Sequence, residues 1–108
     1  MKYLLFIVIL FAQVSQARVD GTKLVQAARE QIGVTLFYDS AYRKLAYPMG
    51  DIELSKGVCT DVIIRALRQQ NKDLQLLVHE DMKRAWGQYP KIWGLKSTDR
   101  NIDHRRVP

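Results

Sequence analysis

Cys59 is the only cysteine in a chain of 108 residues. No internal disulfide can therefore staple the fold, which must rest on its own apolar core or borrow one from a further segment or a partner. A chain this short holds one domain at most. With 47% hydrophobic and 26% charged residues it falls in the ordinary globular range, outside that of disordered or fibrous proteins. A domain of this size buries only about 60 to 65% of its unfolded surface, so its stability is marginal.

The first 17 residues, MKYLLFIVILFAQVSQA, set the expected compartment. Lys2 gives a charged start, Tyr3 to Ala12 an apolar run, and Ser15 and Ala17 small residues ahead of Arg18. This is the layout of a secretory signal peptide cleaved after Ala17. The apolar run is about half of the roughly 20 residues that a spanning helix needs, and no cysteine follows it for lipid attachment. The expected product, residues 18–108, is exported, periplasmic or secreted, with no stable membrane insertion. A formal charge of +6 would suggest nucleic acid for a cytoplasmic protein. Export argues against that, and leaves an anionic envelope polymer or a solvated surface without a specific partner.

Periodicity predicts three helices and little strand. Asp20 is a candidate N-cap for a helix to Ile32, with Leu24, Ala28 and Ile32 every four residues, Val25 alongside, and Gly33 as the stop. VTLFY, residues 34–38, has strand composition, and DSAYRKL after it could form a short helical turn. Residues 46–57, with a proline and two glycines, read as a connection. A second helix runs from Val58 or Cys59 to Gln70, with Val62, Ile63, Ala66 and Leu67 as its apolar stripe and Cys59 on the same stripe. Asp73 caps a third to about Trp86, burying Leu74, Leu77, Val78, Met82 and Ala85, with Gly87 closing it. The rest is irregular and leaves Tyr89, Ile92 and Trp93 with little to cover them, so the chain reads as the front part of a domain.

Cys59 admits two readings. Free cysteine is among the most often buried residue types, which fits a packing role. Against that, a lone thiol is a liability in an oxidising compartment, and a helix start after a glycine-containing connection is where nucleophiles are presented. Free N–H groups and the helix dipole favour thiolate there, but a helix terminus is worth about 0.3 to 1 kcal/mol, against about 1.36 kcal/mol for one pKa unit. A base, normally histidine, is therefore needed. Asp61 works against thiolate unless it turns away to cap the helix.

Of the two histidines, His79 lies within the third helix beside Glu80 and Asp81 and reads as solvated. His104, between Asp103 and Arg105 in an irregular segment, fits a functional imidazole or a hydrogen-bonded loop residue equally. One cysteine and two histidines at these separations make no zinc pattern. No glycine-rich phosphate loop or G-x-S-x-G motif is present, so no cofactor is expected.

The blocks AREQIGVTLFYDSAY, AYPMGDI, GVCTDVIIRALR, LVHEDM, YPKIWGL and NIDHRRVP resemble, in that order, the opening half of the domain-of-unknown-function family 1287 (DUF1287). That family in turn looks related to the NlpC-type papain-like cysteine peptidases. The resemblance implies an α+β fold, here its mainly helical N-terminal portion with the sheet half largely missing. It implies a cysteine hydrolase of peptidase or amidase type acting on peptidoglycan stem peptides, with Cys59 at the nucleophile position. His104 and Asp103 match a further family block and are the candidate catalytic partners of Cys59 within this chain. Members usually continue into a half with another histidine in a strand, so residues 18–108 are expected to be a partial, truncated domain, inactive alone if that half supplies the base. The alternative is a non-catalytic envelope protein or binding module with a structural, buried Cys59.

Overall fold

The computed structural model describes residues 18–92 and 94–106. The expected leader, residues 1–17, and Trp93 lie outside the described residues. The fold is α+β and mainly helical: helices α1 (Gly21–Arg29), α2 (Cys59–Arg68) and α3 (Leu74–Arg84), with strands β1 (Phe37–Tyr38) and β2 (Lys56–Gly57) between the first two. Short 3-10 turns follow at Trp86–Gln88 and Asp103–Arg105.

Two of the three helices start on the expected side-chain caps. Asp20 Oδ1 accepts from Lys23 N at 3.2 Å and Asp73 Oδ1 from Gln75 N at 3.2 Å, each satisfying an N–H that has no acceptor inside its helix. Helix α2 starts otherwise: its N-cap is Val58, which has no side-chain acceptor, and Asp61 reaches back to take the Val58 N–H at 2.7 Å. The ends are earlier than periodicity predicts. Helix α1 stops at Arg29 and continues as turns to Val34, with Gly33 at φ +80°, and α3 stops at Arg84, leaving Trp86 to the 3-10 turn.

Helices α1 and α2 run antiparallel. At one end Asp20 N and Gln70 Oε1 are 2.8 Å apart and Gln70 Nε2 returns a bond to Asp20 O at 3.0 Å. At the other, Gln31 Nε2 donates to Val62 O at 2.9 Å. The face of α1 turned inward centres on Ala27, so Ile32, expected inside, is 81% exposed, and Val25 is exposed too. Small residues lie at the interface, Ala27 on α1 and Ala66 on α2, both buried.

The sheet corrects two expectations. Residues 46–57 contain a strand, β2, which pairs in parallel with β1 in the register Phe37 to Lys56 and Tyr38 to Gly57. Lys56 and Gly57 carry no strand signal of their own. Their geometry is set from α2, where Arg65 grips Asp51 through two bonds of 2.8 and 2.9 Å and donates to Lys56 O at 2.8 Å. A Cβ at Gly57 would lie 3.2 Å from Asp61 Oδ2, so only glycine lets β2 come this close to α2 without displacement. Residues 39–45 form an irregular loop rather than a helical turn, with Asp39 Oδ1 accepting from Ala41 N at 2.9 Å.

The apolar core is small: Ala27, Ile64, Ala66 and Met82 are its buried members among the described residues. Polar residues occupy much of the remaining interior. Gln75 has no exposed surface, whereas Leu77, expected inside, is half exposed. Its amide accepts from Gly50 N at 2.7 Å and donates to Ala46 O and Arg100 O at 2.9 and 3.1 Å.

Candidate functional site

Cys59 is the first residue of α2 and is exposed. The expected stripe explains this. Helix α1 reaches along α2 from Gln70 only as far as Val62, so Ala66 is covered while Cys59, on the same stripe, emerges past its end. The sulfur-bearing residue lines a cleft of about 170 Å3 with Tyr38 and Ser40 from the end of β1, Val58 before α2, and Ile102 and Arg105 from the C-terminal turn. Glycine-containing β2 thus delivers the chain directly into the helix start, where backbone N–H groups lack intrahelical acceptors.

Asp61 is turned away to cap the helix, the orientation that relieves its conflict with a thiolate. Besides the Val58 N–H, it meets the guanidinium of Arg105, with Nε 3.1 Å from Oδ1 and Nη2 3.0 Å from Oδ2. Both side chains are buried, at 4% and 2% exposure. Arg105 Nη2 also donates to Asp39 O at 3.2 Å, and Thr60 Oγ1 donates to Arg105 O at 3.3 Å.

His104 and Asp103 sit on the other side of that turn. His104 lines a different, largely apolar cleft with Val78, Met82, Tyr89, Pro90 and Leu95, and burial pushes its pKa down to about 4, with Arg68 adding to the shift. Asp103 is also buried; its Oδ2 accepts from Asp99 N at 2.7 Å and lies 3.5 Å from His79 Nδ1. His79 is therefore packed against Asp103, and edge-on to the Tyr47 ring at 5.4 Å, rather than standing free in solvent. Neither histidine is among the residues lining the Cys59 cleft. Tyr38, Ser40, Ile102 and Arg105 complete that cleft without having been singled out by sequence. Nothing near Arg105 in the sequence marks it for burial, since the carboxylate that buries it is 44 residues away.

Among the described residues no group of three histidine, cysteine, aspartate or glutamate side chains is placed to hold a metal ion, and no helix is long and apolar enough to cross a membrane. Residues 25–108 match the family described as Domain of unknown function (DUF1287).

The chain belongs to the DUF1287 family.

It is 60% identical over 85 residues to Uncharacterized protein YijF of Escherichia coli (strain K12). That match covers 79% of this chain and 42% of YijF, so the chain spans less than half the length of this DUF1287 relative. No solved structure matches it.

Proposed function

We propose that this DUF1287 chain carries the nucleophile of an exported, papain-like cysteine hydrolase acting on peptidoglycan stem peptides. The observation that supports it most is Cys59 itself, exposed at the first residue of a helix and facing a cleft. Its sulfur would attack the amide carbon, and N–H groups at the start of α2 would hold the oxyanion. A histidine would take the thiol proton and return it to the departing amine. Since no histidine lines the cleft, this reading assigns the base to the strand-borne histidine that the papain-like resemblance implies outside this stretch. Export rests on the leader pattern of residues 1–17.

The test is product release from purified peptidoglycan by a longer DUF1287 protein that carries this stretch together with the strand-borne histidine, and by its Cys59→Ala variant, joined by native-state alkylation of Cys59 in this chain. Alkylation without denaturant is expected; equal release from both proteins sinks the cysteine mechanism. The placement of both histidines away from Cys59 favours a second reading, a non-catalytic envelope protein binding cell-wall peptide or another anionic polymer. That reading predicts peptidoglycan retention that Cys59→Ala leaves unchanged.

A further inference from the structure

We propose that Arg105 is the positioning residue of the Cys59 site: it holds the Asp61 carboxylate against the start of α2 and cancels its field at the sulfur. The proposal rests on the reading of Cys59 as a reactive thiol. Arg105 touches every element that lines the cleft. Its guanidinium takes Asp61 in the first turn of α2 and Asp39 O at the end of β1, while its own carbonyl receives Thr60 Oγ1. The remaining nitrogen, Nη1, is buried with no hydrogen-bond partner among the described residues. Burying an N–H unpaired is unfavourable, so the placement follows from the carboxylate and not from the needs of the guanidinium.

The charged and titratable groups around the sulfur are few. Asp61 lies on α2 itself, Arg105 on the C-terminal turn and Tyr38 at β1. The Asp39 side chain is occupied by Arg43 at 2.7 Å and by the Ala41 N–H. Without Arg105, Asp61 would be an uncompensated negative charge two residues from the thiol. Such a charge disfavours thiolate and repels an anionic reagent more than a neutral one.

The experiment compares alkylation of Cys59 by iodoacetate and by iodoacetamide in the wild-type chain, Arg105→Gln, Asp61→Asn and the double variant, with folding followed by circular dichroism. In Arg105→Gln the iodoacetate-to-iodoacetamide rate ratio is expected to fall about fivefold. In Asp61→Asn it should rise, and in the double variant it should return close to wild type. A purely structural role would move neither single variant in opposite directions. Ratios that are the same in all four proteins overturn the proposal. Should Arg105→Gln fail to fold, Asp61→Asn and the double variant decide it: a rise in the first that is reversed in the second supports it, and no rise overturns it. A native wild-type Cys59 that neither reagent reaches defeats the reactive-thiol reading and the proposal together, an outcome distinct from a reactive thiol whose ratio does not respond.

Discussion

Gln75 has no exposed surface, and its amide bonds to the Gly50 N–H, Ala46 O and Arg100 O together. Truncating it to alanine strands polar groups from two segments inside the protein, each costing about 1 to 3 kcal/mol when left unsatisfied. We expect Gln75→Ala to destabilise by about 3 kcal/mol or more, seen as a lowered urea midpoint; a change below about 1 kcal/mol would show that water replaces the amide. Gly50 beside it cannot carry a side chain, since a Cβ would fall 1.9 Å from Ala46 O. His104 gives a pH dependence with a definite sign. Its folded pKa is depressed from 6.5 to about 4, so between those values the unfolded chain binds a proton that the folded chain does not. Stability is fully present above about pH 6.5 and falls as pH drops toward 4, by up to about 3 kcal/mol. Urea titrations at pH 7.5 and 5 should show this loss, and His104→Gln should flatten it; an unchanged slope in the variant would assign it to the carboxylates.

Among the elements, the two-residue strand β2 is the one held from outside. Bonds to β1 run from Leu36 N and Phe37 N to Ser55 O and from Asp39 N to Gly57 O, but the loop that presents these carbonyls is fixed by Arg65 through Asp51 and Lys56 O. Lysine cannot reproduce a planar two-pronged grip. Arg65→Lys is therefore expected to speed hydrogen exchange at the Phe37 and Asp39 amides while leaving the α1–α2 contact protected. Equal acceleration in α1 would instead mean that the substitution loosens the whole fold. Helix α3 is anchored at its start in a comparable way: Arg68 pairs with Asp73 at 2.9 Å, and the same carboxylate accepts from Met49 N at 2.8 Å. Those partners hold the Asp73 carboxyl below its ordinary range against the opposing effect of burial.

For the whole molecule, the balance of core and surface is the main property. Four buried apolar residues are described, while Leu36, Phe37, Tyr38, Leu54 and Ile63 on and near the sheet and the first turns of α2 are exposed. Apolar groups gathered around a short, open-edged sheet favour association or partner binding. We expect concentration-dependent self-association by light scattering, reduced by Phe37→Ser with a stability change within about 0.5 kcal/mol. A monomer at all concentrations, or a large stability loss in that variant, would count against the patch.

The caps at Asp20 and Asp73, the three helices and the place of Cys59 at the head of the second were legible by sequence alone, because capping and helical periodicity act within a few residues of chain. The direction of Asp61 was left open by sequence, and the fold turns it to cap its own helix. What tertiary structure decided is which side of each helix is inside. Periodicity marks apolar stripes, yet Ile32, Leu77 and Cys59 are exposed while Gln75, Arg65 and Arg105 are buried. Those polar side chains are inside because partners 14 to 44 residues away, or several backbone groups at once, satisfy them, and no local spacing encodes such pairings. The composition of the Cys59 cleft belongs to the same class: β1, α2 and the C-terminal turn are brought together there with Arg105 paired to Asp61, and the same folding carries His104 into a different cleft.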